Sequence, residues 1–402
     1  MTRRLYYDDS HLRTFAATVT GVRRVGDGIE VSLDQTAFYP GGGGQPPDHG
    51  RLGPRAVLDA SEDGGAVWHR IDAPLDEGTK VEGEVLWPRR LDHMQQHTGQ
   101  HVLSRAFVDI AKADTRSFHL GEQVVTIDVD HAGPDDALLR QVEERANQIV
   151  WEDRPVHAHL VTMDEALRFP LRKPPQVEGE VRVVEVDGYD WSACGGTHVA
   201  RTGEVGVIAL VGTERYKGGT RVSFLCGGRA LRRLHVAGDL LRRICLEFTA
   251  GEPDLIRAVS RLKEERESLD RRLKPLVREA LEREALTLLA EAAPGPGIRV
   301  VARHFAGRDP DEAGTLAAMI AAAGGVALLV SGEGASPRAH FCAPPGTISA
   351  AALMGDVSRR HGGRGGGRPE SAQGTIPVDR VEAALRDALE AVTAGTGKGQ
   401  NA

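Results

Sequence analysis

LDHMQQHTGQHVLSRAF, residues 91–107, carries two histidines four positions apart, His97 and His101. On a helix that spacing sets both imidazoles on one face about a turn apart, so both can reach a single point. Leu91, Met94, Val102, Leu103, Ala106, Phe107 and Ile110 recur at helical spacing with no proline among them, which predicts the helix itself. A lone pair of this kind is commonly an ordinary surface or core feature. Thr98 stands where a zinc protease carries its glutamate base, so the stretch is not a protease signature. About a hundred residues on, DWSACGGTHVA supplies Cys194 and His198, again four apart, with Gly195 and Gly196 allowing a tight turn between them. A thiolate and three imidazoles make a tetrahedral donor set for zinc. A buried small cysteine and a turn-rich loop are the plainer readings, and they leave the coincidence of the two pairs unexplained.

The chain has 402 residues, enough for two or three domains. A formal charge of −7 excludes a generally basic nucleic-acid coat, so any RNA contact must be local. Only seven of the 50 cationic residues are lysine; guanidinium groups suit forked phosphate contacts, and codon bias gives the same composition. Four cysteines without regular spacing argue against a disulfide framework and for a reducing, cytoplasmic setting. The N-terminal residues lack the apolar core of a signal peptide, and the apolar run from Leu316 to Val330 is broken by Gly324 and Gly325.

Periodicity divides the chain into four parts of a multidomain α+β protein. Residues 1–88 show short β-runs separated by turns, the pattern of a small β-barrel. Within them FYPGGGGQPPD, residues 38–48, leaves backbone amides uncovered beside Gln45, which suits either close approach of a phosphate or sugar or a flexible connector. Residues 89–228 read as a mixed α/β domain in which the two histidine motifs converge. Residues 229–293 read as a helical arm, a hairpin or coiled coil that Pro275 should kink near Lys274, and a candidate homodimer contact. After the Pro294–Gly297 linker, residues 298–393 form a compact α/β unit. Between its last two helices, HGGRGGGRPESAQG offers amides with Arg360, Arg364 and Arg368, read as an RNA-backbone loop rather than a mobile linker. The last ten residues have the composition of a disordered tail.

FYPGGGGQPPDHG, QQHTGQHVLSRAF, RSFHLG with TIDVD, and CGGTHV followed by TGEVG resemble, in this order, the alanyl-tRNA editing proteins, free-standing relatives of the alanyl-tRNA synthetase editing domain. The tail resembles the DHH-associated C-terminal domain of that synthetase, so the likeness is to the long form. The resemblance implies an aminoacyl-tRNA deacylase that removes serine or glycine wrongly attached to tRNA(Ala). It implies zinc held by His97, His101, Cys194 and His198. It also implies catalytic roles for Gln45 and His119, the latter otherwise a satisfied core histidine. An acceptor-end pocket would be lined by Gly43, Gly44, Gln100 and Ser117. One extra glycine before Gln45, and proline where the family often has an acidic residue, depart from its pattern. Two other classes compete: a zinc-containing tRNA-binding protein without turnover, and a DHH phosphodiesterase. The second is disfavoured because the chain has DHM at 92–94 and DHG at 48–50 but no DHH. A full ligase is also disfavoured, since the chain opens on β-strands and leaves no room for an ATP-using aminoacylation domain.

Overall fold

The computed structural model describes residues 1–175, 179–292 and 297–396. The chain divides into two compact units, Met1–Leu246 and Glu247–Ala402, within a multidomain α+β protein. The unit boundary falls inside the stretch expected to form an arm. Among the described residues no helix is long and apolar enough to cross a membrane.

In the first unit, strands Thr14–Val25, Gly28–Leu33, Gly50–Leu52, Arg55–Asp63, Ala66–Ile71 and Lys80–Val85 close into a barrel, the last pairing back onto the first. KVEGEV shows the cause: Val81 and Val85 are buried while Lys80, Glu82 and Glu84 are exposed, a period of two that feeds one face to the interior. Phe15, Val31, Leu33, Phe38, Leu52 and Val57 fill that interior. The connection from Leu33 to Gly50 carries the glycine-rich loop.

Helix Trp87–Ala106 follows directly, with Pro88 in its first turn, where a missing N–H costs nothing. It packs against an antiparallel sheet ordered Ile208–Tyr216, Gly219–Cys226, Val125–Val129, Thr115–Leu120 and against helix Asp136–Trp151. A second, three-stranded sheet joins Val156–Val161, Val181–Val186 and Asp190–Ala193, and delivers the chain to Cys194. Helix Gly227–Glu247 ends this unit.

In the second unit, helix Leu255–Glu291 continues through Pro275, the position at which the sequence places a kink. Pro275 is exposed, where water can satisfy the carbonyl its missing donor leaves free. The C-terminal turns of that helix bury Leu281, Ala285, Leu288 and Leu289 against one face of a five-stranded sheet ordered Val300–Phe305, Val326–Ser331, Arg338–Cys342, Ser371–Thr375, Arg364–Arg368. Val326, Leu328 and Val330 point to the other face, under helices Ala350–His361 and Val381–Thr396. A strand buried on both sides reads as an unbroken apolar run, as VALLV does.

The glycine-rich tail motif is not a loop. Arg364–Arg368 is an edge strand paired antiparallel with Ser371–Thr375. Its glycines answer to packing: a Cβ at Gly365 would lie 2.7 Å from Met354 Cγ, and one at Gly367 2.3 Å from the Ser371 carbonyl oxygen. The linker prolines Pro294 and Pro296, and the tail beyond residue 396, lie outside the described residues.

Candidate metal centre

Residues 96–104 of the Trp87–Ala106 helix are buried all round, although six of the nine are polar. Buried polar groups need partners, and here they find them in the surrounding strands. Gln96 donates to the Cys226 carbonyl at 3.0 Å and accepts from the Cys226 N–H at 2.8 Å. Gly99 permits this closeness, because a Cβ there would come within 2.3 Å of Cys226 Sγ.

On the same helix His97 and His101 face the turn carrying Cys194 and His198. Their ring centres are 5.3 Å apart, and His198 lies 4.6 and 4.7 Å from them. One donor atom from each of the four residues lies within 4.8 Å of the others. His97 Nε2 and His198 Nε2 are 3.3 and 3.4 Å from Cys194 Sγ. A tetrahedron with bonds of ~2.0–2.3 Å has edges of roughly 3.5 Å, so the spacing fits a metal ion of zinc's size.

Each imidazole faces a polar group through its other nitrogen. His97 Nδ1 donates to Gln45 Oε1 at 2.7 Å, and that oxygen also accepts from the Thr197 N–H at 3.1 Å. His198 Nδ1 lies 3.1 Å from Thr98 Oγ1, and His101 Nδ1 3.5 Å from Asp190 Oδ2. Asp190 is in turn held by Arg172 at 2.5 Å and by Ser192 at 3.0 Å. For His97 and His198 these hydrogen bonds from Nδ1 fix the tautomer and leave Nε2 turned inward, while His101 Nδ1 faces Asp190 without a hydrogen bond. The electrostatics suit metal binding. Burial would raise the Cys194 thiol, but His97 and His198 outweigh it and hold the thiol well below its usual range. Burial pushes His198 down to about 3, against the pull of the thiolate. Burial also lowers His101, yet Asp190 and Cys194 more than reverse it. A thiolate at Cys194 and a neutral ring at His198 are the protonation states that ligation requires, whereas His101, held toward its charged form by Asp190 and Cys194, would give up a proton to bind a metal.

The other expected site residues fare differently. Gln45 is only 2% exposed, its Oε1 facing His97 and Thr197 and its Nε2 donating to Thr197 Oγ1 at 2.8 Å. It thus touches both His97 and the CGGTH turn. Gly43 and Gly44 are exposed, with φ of +55° and +87°. The Gly44 carbonyl accepts from Leu120 N–H at 3.1 Å, so the loop rests on the edge of strand Thr115–Leu120 beside His97. Within that strand Phe118 stacks on His97 at 5.2 Å. Alternation then turns Ser117 and His119 to the opposite face of the sheet. Ser117 donates to Asp128 at 2.5 Å and His119 is exposed, so neither faces the four donors. Gln100 is buried and donates to Ser104 at 2.8 Å, internal to the helix. Arg360, Arg364 and Arg368 are exposed in the second unit, Arg360 3.1 Å from Asp356.

Sequence reasoning missed Thr98, Thr197, Phe118, Asp190 and Arg172. Thr98 and Thr197 lie inside the two ligand motifs and were open to notice as candidate partners. Asp190 precedes Cys194 by four residues; Arg172 has no local signal at all.

Residues 181–223 match the Threonyl and Alanyl tRNA synthetase second additional domain, and residues 297–394 match the DHHA1 domain. The alanyl-tRNA editing protein AlaX-L of Pyrococcus horikoshii is 31% identical over 398 residues, covering 95% of this chain and 96% of that protein. The alanine–tRNA ligase of Pyrococcus abyssi is 32% identical over 413 residues, covering 97% of this chain but 43% of the ligase. The chain spans less than half the length of this and comparable ligases. A solved structure, the C-Ala domain of Aquifex aeolicus alanyl-tRNA synthetase, covers 26% of this chain and 98% of its own at 18% identity and a TM-score of 0.24, too low to carry an argument. The class is thus a protein joining the synthetase second additional domain to a DHHA1 domain around a three-histidine, one-cysteine centre. Within that class, the chain belongs to the alanyl-tRNA editing protein family.

Proposed function

We propose that this protein is a trans-editing deacylase that hydrolyses serine or glycine esters of tRNA(Ala), with zinc held by His97, His101, Cys194 and His198. The observation that carries the reading is the convergence of these four donors, His97 and His198 oriented through Nδ1 and His101 facing Asp190. The near-full-length likeness to an alanyl-tRNA editing protein supports the substrate class. Bound there, zinc would act as a Lewis acid on the ester or hold the acceptor ribose in place. The chain's own groups do the rest. Gln45, Thr98 and Asp190 hold the imidazoles, Phe118 shields His97 from water, and the exposed amides of Gly43 and Gly44 receive the acceptor end.

In this reading the barrel (1–88) and the α/β part (89–228) together form the editing domain. The helical stretch (229–293) offers exposed Leu231, Leu234, Leu240 and Leu246 as a homodimer contact, and residues 298–393 bind tRNA through Arg360, Arg364 and Arg368. The four free cysteines accord with work in the reducing cytoplasm.

A complete set of four protein donors is also the pattern of a closed, structural metal, which favours a second reading, a tRNA-binding protein without turnover. A deacylation panel with Ser-, Gly- and Ala-tRNA(Ala), with and without chelator, separates the two. Release of serine or glycine that chelator abolishes is the expected result. Tight binding that protects the ester, with no release, would overturn the deacylase.

A further inference from the structure

We propose that Arg182 receives the 5′-phosphate of the nucleotide whose ribose carries the ester, an inference that rests on the deacylase reading above. Arg182 lies in strand Val181–Val186 and is 8% exposed. Its Nη1 donates to the carbonyls of Cys194 at 3.0 Å and Gly196 at 2.8 Å, so the guanidinium sits against the turn that carries two of the four donors. The two other buried arginines among the described residues, Arg90 and Arg229, each face a carboxylate, Asp48 and Asp92, and so does the half-buried Arg172, with Asp190. Among the described residues Arg182 has no such partner, and its Nε is buried without an acceptor. An unpaired buried cation is costly, and a buried donor without a partner calls for an explanation. With Nη1 committed to the turn, the edge that remains is Nε with Nη2. That side-on fork matches two oxygens of one phosphate.

The surroundings fit a nucleotide. The Tyr7 ring lies 5.2 Å from the Arg182 guanidinium carbon, and a Cβ at Gly195 would come within 3.4 Å of the Tyr7 hydroxyl, so this half-exposed ring overhangs the Cys194 turn. Tyr39 donates to the Gly42 carbonyl at 2.9 Å and ties the glycine loop to the same wall. An arginine edge, an aromatic face and uncovered amides therefore meet on the side of Cys194, the one donor residue of the four that is only partly buried. An ester brought to the donors would leave the phosphate of its own nucleotide across the ribose, at this wall. A clamp on two carbonyls needs only Nη1; the free fork is what calls for a ligand.

Seryl esters of adenosine and of adenosine 5′-monophosphate, offered to the full-length zinc-loaded protein, test the assignment. A charge-assisted pair of hydrogen bonds should favour the 5′-phosphate ester by about tenfold or more in kcat/KM. Inorganic phosphate should inhibit cleavage of the nucleoside ester no more than a matched chloride control, and should erode the preference for the nucleotide ester. In Arg182→Gln and Arg182→Lys the ratio of the two kcat/KM values should fall toward one, with zinc content and thermal unfolding as in the parent. A parent without preference for the phosphate, or variants that keep it, would overturn the proposal. Loss of zinc from both variants would overturn it as well, and would assign Arg182 to holding the turn. If the parent cleaves neither ester and neither Ser- nor Gly-tRNA(Ala), the deacylase reading itself fails; cleavage of both esters at equal rates removes only the phosphate receptor.

Discussion

His69 and His198 are both buried imidazoles with depressed pKa values, yet their surroundings give them different work. His69, in the barrel interior, donates from Nδ1 to the Val31 carbonyl at 3.1 Å and has Thr36 Oγ1 2.9 Å from Nε2. Both nitrogens are satisfied in the neutral ring, and burial holds its pKa down at about 4. Its folded pKa is thus below the unfolded value of about 6.5, and the unfolded chain binds the extra proton between the two. The stability linked to His69 is present above pH 6.5 and is lost as pH falls toward 4, on the order of 3 kcal/mol. Urea unfolding at pH 7 and pH 4.5, with chelator present throughout, should show a smaller acid loss in His69→Gln than in the parent. An equal loss would mean that His69 is not held neutral. His198 instead has its Nε2 turned to Cys194, and that difference in neighbours is invisible in the residue type. The four donors were legible in the sequence because each motif is local, four residues on a helix or a turn. Their partners were not, because Gln45 lies 52 residues from His97 and Thr98 100 from His198.

Strand Arg364–Arg368 shows how one composition supports two readings. GGRGGGR has the makings of an anion-binding loop, but its glycines permit the close approach of the neighbouring strand and of the helix bearing Met354. The positions are not equivalent. A Cβ at Gly367 would meet the Ser371 carbonyl oxygen at 2.3 Å, whereas one at Gly366 meets nothing within 4 Å. Gly367→Ala should destabilise the protein by about 2–4 kcal/mol and Gly366→Ala by well under 1 kcal/mol. Thermal unfolding of the two variants side by side is the check, and equal stabilities would contradict the strand pairing. The same element still presents Arg364 and Arg368 to solvent. Changing both to Gln should weaken tRNA binding and reduce its salt dependence by about two counterions. A salt slope equal to the parent's, with earlier unfolding, would assign these arginines to the fold.

At the level of the whole molecule, the four donors join segments about a hundred residues apart, and all lie within Met1–Leu246. Metal removal should therefore act on one unit. Chelation is expected to lower hydrogen-exchange protection around residues 97–104 and 190–199 while leaving strand Val326–Ser331 as protected as before. A uniform loss through both units would show that they do not unfold separately. Helix Trp87–Ala106 is the joint of the first unit: Arg90 forms a buried pair with Asp48 and donates to the Ser10 carbonyl at 2.7 Å, locking the base of the glycine loop to the helix that bears His97.

The residues alone determined the helix that carries His97 and His101, the turn that carries Cys194 and His198, and the alternation of the barrel and sheet strands. Each of these is a matter of neighbours in sequence and of a fixed period, 3.6 or 2. Only the tertiary structure decided the phase. RSFHL as a string cannot say whether Phe118 or its neighbours Ser117 and His119 look toward the donors, because one residue of register exchanges the two faces of a strand. Pairing of Phe118 opposite Ile127 sets that register and turns His119 away. Gln45 likewise becomes a support for His97 only because the loop folds onto strand Thr115–Leu120. Arg182 is without a carboxylate only in view of what surrounds it in space, and a charge that lacks a partner can be recognised only after every described neighbour has been placed.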